Sequence, residues 1–156
     1  MESCFVDQWL ARETIKEQHS PFDGFVGWRF GIGAYDGDGL VGVVIVGNPT
    51  APTLQARGAW EVTRLCTWGH KNAASFLLGA AWKEAQRRGC AYLVSYTRHD
   101  ETGTSYRAAG WREAAKVKGR PHTTGNRAQR WLPGTYQPST EIVDRVRWEK
   151  GLAWMG

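Results

Sequence analysis

Cysteine is scarce in this chain, and what there is cannot pair off. Its 156 residues include Cys4, Cys66 and Cys90, an odd number with no Cys-x-x-Cys spacing. That excludes a disulfide scaffold and a zinc ribbon, and predicts three reduced thiols packed as small core residues in a cytoplasmic protein. Histidine is equally thin. His19, His70, His99 and His122 show neither HxH nor HxxxH spacing, so no metal site is predicted from spacing. No apolar run approaches the ~20 residues of a membrane span. The opening MESCFVDQWLARE has neither a basic start nor an unbroken apolar stretch, so neither a secretion signal nor a membrane partner is expected. Acids are missing from one region in particular. Between Arg107 and Arg130 there are seven basic residues (Arg107, Arg112, Lys116, Lys118, Arg120, Arg127 and Arg130) against one acid, Glu113.

What is present suits an ordinary core. Hydrophobic residues make up 42% and charged residues 22%, and the length predicts one domain over 1–156. Nine tryptophans are read first as large packing units. The net charge of +5 is compatible with an anionic cofactor, substrate or nucleic acid. In the basic segment, Trp111 and Trp131 add aromatic faces that suit a nucleic acid; a solvated surface gives the same composition.

The elements follow from periodicity. SCFVDQWLARETIKEQH predicts a helix with Ser3 as its N-cap. GWRFGIGAYD alternates as a half-buried strand, DGDG at 36–39 marks a hairpin, and LVGVVIVG at 40–47 is a strand buried on both faces. NPTAPTLQARG reads as a loop and AWEVTRLCTW as a strand. Ala74, Leu77, Leu78, Ala81 and Ala85 then form one helical stripe, with Asn72 as N-cap and Gly89 just past the end. CAYLVSYT is a strand, TSYRAAGW a short helix ending at Gly110, and WREAAKVKG another strand. EIVDRVRWEKG is a final strand or a short helix. The expected order is α-β-β-β-α-β-α-β. This is an α/β mixed sheet, antiparallel at its start and parallel at a central βαβ unit.

The segment TWGHKNAASFLL raises the functional question. A strand feeding a helix through a short loop aims unpaired first-turn amides and the positive end of the helix dipole at whatever lies beyond it. Gly69, Asn72, Ala73, Ala74 and Ser75 are small or capping residues, and His70 and Lys71 add donors. The set suits a diphosphate; an ordinary helix start reads the same way.

From Ala59 to Val117 the chain resembles the core of the GNAT superfamily of N-acetyltransferases. Leu77–Leu78 match its paired leucines, RRGCAYLVSY its helix end and next strand, and YRAAGW (Tyr106 to Trp111) its Tyr-x-x-x-Gly-aromatic signature. The family loop reads Gln/Arg-x-x-Gly-x-Gly/Ala; over Gly69–Ala74 only Ala74 matches, with His70 and Lys71 as replacement cations. The pattern is most similar to small phage and bacterial GNAT-like proteins, and more distantly to the Mom branch, which modifies phage DNA.

The resemblance implies a GNAT-like fold with residues 1–58 as N-terminal helix and hairpin strands, 59–117 as an acyl-CoA-binding core, and 118–156 as a basic loop and C-terminal element. It implies direct acetyl transfer from acetyl-CoA to an amine. Backbone groups of Leu65, Cys66 and Thr67 would hold the acetyl and pantetheine portions, and the amides from Gly69 to Ala74 with Ser75 the pyrophosphate. Tyr106 would protonate the leaving thiolate, and Glu61 would be the base. Arg64 and Arg98 are candidates for substrate binding. Glu61 and Arg64, three apart on a strand, are expected on opposite faces. The alternatives are a Mom-like modifier of nucleic-acid bases, for which the Arg107–Arg130 segment is the main feature, and a non-catalytic binding protein. A homodimer is an open alternative to a monomer. The Mom branch also implies iron chemistry, though Arg98 stands where that branch has an acid.

Overall fold

A computed structural model describes residues 1–18, 27–119 and 144–151. They form a seven-stranded sheet in the order β1-β2-β3-β4-β5-β7-β6. The strands are β1 (Glu2–Val6), β2 (Trp28–Asp36), β3 (Gly39–Gly47), β4 (Ala59–Thr67), β5 (Tyr92–Arg98), β6 (Arg112–Val117) and β7 (Arg145–Gly151). The helices are α1 (Gln8–Glu17), α2 (Pro52–Ala56), α3 (Ala73–Arg87) and α4 (Thr104–Ala108). Neighbours are antiparallel except β4 and β5, the parallel pair of the expected βαβ unit.

The continuous apolar run of β3 has the predicted meaning. Val44 and Val46 pack toward α3 with Leu77, Leu78 and Ala81, while Ile45 packs on the other face with Val6 and Ala11 of the α1 side. A strand covered on both faces has no polar positions to alternate. On α3 the buried stripe begins at Ala73, one residue before the expected Ala74. Asn72 occupies the N-cap position but makes no side-chain cap bond.

Three expectations are corrected. The predicted N-terminal helix begins only at Gln8, capped by Asp7 rather than Ser3. Residues 2–6 are instead a strand along the open edge of β2, from Glu2↔Tyr35 to Val6↔Gly31. The apolar residues Phe5, Val6 and Trp9 mimic a helical stripe, yet Phe5 and Trp9 are exposed. Pairing of the β2 backbone decides the conformation, and local periodicity cannot register that. The loop after β3 contains α2, started by Pro52 in the first turn. Of the two alternatives for the final element the strand is found, and it inserts between β5 and β6. Finally, not all rare residues are core: Cys4 is exposed, Cys66 intermediate and only Cys90 buried, all three as free thiols.

The Asp7 cap is a measurable contribution. Its Oδ1 accepts the Leu10 N–H at 2.8 Å. Replacing it with alanine leaves that amide uncapped, and urea unfolding of Asp7→Ala is expected to show a loss of about 1 kcal/mol.

Candidate active site

The parallel pairing of β4 and β5 is short. It runs from Ala59↔Tyr92 to Glu61↔Val94 and stops there. The antiparallel β3–β4 ladder shifts register between Ile45 and Val46. Val62 faces Val46 and Arg64 faces Ile45, so Thr63 is the extra residue of a β-bulge. A bulge bends its strand, and here β4 leaves β5 beyond it. The gap is a cleft of about 400 Å³. Val62 to Leu65 line one wall with Thr67, Ser95 to Thr97 the other, and Ala74 of α3 and the stretch from Glu101 to Tyr106 close it.

The bulge also corrects a prediction. Ile45 and Gly47 lie two apart on β3 and so share a face; their partners are Arg64 and Glu61. Glu61 and Arg64 therefore share a face, because the inserted Thr63 reverses the alternation.

On the α3 side of the cleft stands a buried hydroxyl pair. Tyr106 Oη and Ser95 Oγ are 2.6 Å apart. The Tyr106 ring stacks on Trp148 at 5.5 Å and meets Trp111 edge-on at 5.4 Å. Burial pushes the Tyr106 phenol above its ordinary value, against the lowering effect of the Ser95 bond. The hydroxyl therefore stays protonated throughout the neutral range.

The other face carries charge. Burial raises the Glu61 carboxyl above its ordinary value, opposed by the Thr50 amide at 3.4 Å and by the charge of Arg145. Tyr96 is half-buried on the same face; burial, then the nearby Glu61, raise its phenol, while Arg145 and a hydrogen bond with Arg147 lower it. A carboxylate whose pKa is raised by burial accepts a proton more readily than an exposed one.

The turn from β4 to α3 is pinned at its start. Trp68 donates through its amide to Val41 O at 2.9 Å and through its indole to Leu40 O at 2.7 Å. Gly69 follows with φ of +73°, where a side chain would be strained. His70 is engaged within the fold: its Nδ1 accepts the Asn72 N–H at 3.3 Å and its Nε2 lies 3.6 Å from Asp36. Lys71 is exposed. The α3 ladder opens with Phe76 N–H to Asn72 O, so the Ala74 and Ser75 amides precede it. The Ser75 hydroxyl donates to Asn72 O at 3.2 Å. These amides, the open backbone at Gly69 and the adjacent cleft fit a diphosphate joined to an acyl arm.

Of the predicted residues, the structure brings Arg64, Leu65, Thr67, Ala74 and Tyr106 together around one cleft. Glu61 sits at its closed end, where the β4–β5 pairing stops. Ser75 lines the neighbouring groove between α3 and β1, and Cys66 pairs with Val43 and does not line the cleft. Arg98 forms an exposed bridge to Asp100 at 3.3 Å. Sequence reasoning missed Ser95, Tyr96 and Thr97, although the alternation of LVSYT sends Ser95 to one face and Tyr96 to the other. It also missed Arg145 and Arg147, which required the final strand to be placed beside β5. Of the basic segment, Arg120, Arg127, Arg130 and Trp131 lie outside the described residues.

Among the described residues no three His, Cys, Asp or Glu side chains converge on one point. His99 uses its Nδ1 against Asp144 O at 3.1 Å. His19 and His122 lie outside the described residues. The donor set of the described residues does not fit an iron ion. Among the described residues, no helix is long and apolar enough to cross a membrane.

The sequence profile of the Mom protein family matches residues 4–129. The curated proteins give no match. Among solved structures, an acetyltransferase of Bacillus subtilis in complex with CoA is similar at TM-score 0.61 and 13% identity, over 97% of this chain and 98% of that one. The ribosomal-protein-S18-alanine N-acetyltransferase of Escherichia coli gives 0.62 and 11%, over 95% and 91%. The ribosomal-protein-alanine N-acetyltransferase of Brucella melitensis gives 0.59 and 17%, over 93% and 75%. At these identities the likeness is one of fold: the mixed sheet with its parallel β4–β5 pair is the GNAT acetyltransferase fold.

Proposed function

This chain belongs to the Mom protein family, and on that premise we propose that it transfers an acetyl group from acetyl-CoA to an amino group on a base of DNA. One observation supports this above the others: the β4–β5 cleft lies between a buried hydroxyl pair on one sheet face and an acid among arginines on the other. A thioester reaching through that cleft meets a proton donor on its sulfur side and a proton acceptor on its acceptor side.

The residues then divide the work. The Ala74 and Ser75 amides, with Lys71, take the pyrophosphate. The backbone of Leu65 to Thr67 holds the pantetheine arm and the acetyl oxygen. The amino nitrogen attacks the thioester carbon, a C–N bond forms, and Glu61 takes the proton the nitrogen sheds. The C–S bond breaks, and Tyr106 donates its proton to the departing sulfur. An exocyclic amine on a base is uncharged and weakly nucleophilic, so positioning against the carbonyl supplies much of the rate. Arg64 and the Arg107–Arg130 segment lend positive charge to the polyanion.

The test has two parts. Calorimetry is expected to show acetyl-CoA binding that weakens at least tenfold in Lys71→Glu, since charge reversal at the diphosphate replaces attraction with repulsion. DNA incubated with protein and acetyl-CoA is then digested to nucleosides, and a mass increase of one acetyl group on an amino-bearing base is expected. Binding of acetyl-CoA with acetyl transfer only to peptide or small-molecule amines would overturn the DNA reading. No binding at all would overturn the transfer reading and leave a non-catalytic fold.

A further inference from the structure

The mechanism uses Glu61 but not Tyr96, Arg145 or Arg147 beside it. On the sheet face away from α3, the register places Tyr96 opposite Arg147 and Arg98 opposite Arg145 across β5 and β7. Arg112 on β6 lies opposite Glu149, and Arg64 on β4 opposite Ile45. Against these five arginines the same face sets Glu61 and Glu149. Arg147, directly across the β5–β7 ladder from Tyr96, lies close enough to lower the pKa of its phenol. Its own Nε is buried with no hydrogen-bond acceptor, 3.7 Å from the Glu149 carboxylate. Arg145 is exposed and near enough to Glu61 to act on its charge. Tyr96 itself lines the cleft and is half-buried.

One base needs one proton acceptor; it does not need Arg145 and Arg147 around it. A polyanion does. A base inside a duplex also keeps its amino group in the stack, out of reach of a carbonyl held between two strands, so it must leave the helix. A cleft of about 400 Å³ between two strands does not admit a duplex. A half-buried aromatic ring lining the cleft offers a surface for whichever base enters.

Resting on the DNA reading, we infer that Tyr96 is the stacking platform for an extruded or single-stranded base, and that Arg145 and Arg147 hold the phosphates flanking it. Glu61 then lies beside the ring, where the base presents its amino group. The substrate class is thereby narrowed to an unpaired nucleotide within a strand.

The experiment compares wild type, Tyr96→Phe, Tyr96→Leu and Arg145→Gln. A fluorescein-labelled oligonucleotide, single-stranded and as a duplex of the same sequence, is titrated by anisotropy across a salt series. Acetyl-CoA calorimetry on each variant reports whether the fold is intact. Wild type is expected to bind the single strand more tightly. Tyr96→Phe keeps the ring and stays within about threefold; Tyr96→Leu weakens binding about tenfold or more and raises KM for DNA without changing KM for acetyl-CoA. Arg145→Gln lowers the salt slope by about 0.7, one phosphate contact on a single strand. DNA modification with Tyr96→Leu indistinguishable from wild type overturns this inference alone. Oligonucleotide binding with the expected variant effects but no modification upholds it and overturns the transfer reading. Neither binding nor modification overturns both.

Discussion

Tyr106→Phe is expected to fold, to bind acetyl-CoA, and to lose about 100-fold in turnover. The substitution removes one oxygen. The ring remains stacked on Trp148 and edge-on to Trp111, so the α4 position is kept. What disappears is the hydroxyl 2.6 Å from Ser95 Oγ, and with it the proton that the proposed reaction delivers to the leaving sulfur. The orphaned Ser95 hydroxyl costs about 1 kcal/mol in stability, too little to unfold the chain. The pH dependence separates the two roles. Glu61 must be ionised to accept a proton, and burial raises its pKa. The rate therefore falls as pH drops through a value above the ordinary 4.5, and Glu61→Gln flattens that limb along with a lower maximum. Tyr106 must be protonated to donate, and its pKa lies above the ordinary 10.0, so the rate holds on the alkaline side throughout the neutral range. A Tyr106→Phe enzyme with full turnover would remove the tyrosine from the chemistry and leave it as packing.

How much of this was legible beforehand depends on the range of the interaction. The β3 run, the α3 stripe and the Tyr106 signature are local patterns, and each fell where its spacing placed it. The nature of residues 2–6 and of residues 145–151 was not local. Both are strands because a sheet edge offered hydrogen bonds: β2 for the first, β5 and β6 for the second. The second carried half of the site with it. Arg145, Arg147 and Trp148 mean little in EIVDRVRWEKG, yet they are the neighbours of Glu61, Tyr96 and Tyr106. The Thr63 bulge is a third case. Nothing in AWEVTRLCT announces an extra residue, and without it Glu61 and Arg64 fall on opposite faces. Sequence spacing located the α3 side of the cleft; strand pairing located the opposite face.

The largest expected loss of stability comes from a glycine outside every motif. Gly103 opens α4 with φ of +70°, a left-handed conformation that costs about 1 kcal/mol for most side chains. Space is the harder constraint. A Cβ there would stand 2.2 Å from Cζ2 and 2.7 Å from Cη2 of Trp148. Neither neighbour can give way cheaply, because that indole is stacked on Tyr106 and its Nε1 donates to Thr97 Oγ1 at 3.0 Å. Gly103→Ala must therefore displace α4 or eject the indole, and overpacking of this kind costs about 1–3 kcal/mol beyond the backbone strain. Thermal unfolding is expected to fall by roughly 5–15 °C for a chain of this length. Turnover measured well below the new Tm is expected to fall too, because the same displacement carries the Tyr106 hydroxyl away from Ser95. Trp148→Phe in the Gly103→Ala background removes the indole atoms in contact and is expected to restore part of the lost stability. A single variant as stable as wild type would mean that α4 shifts freely, and then the Tyr106–Ser95 contact could not be the fixed point from which the proton is delivered.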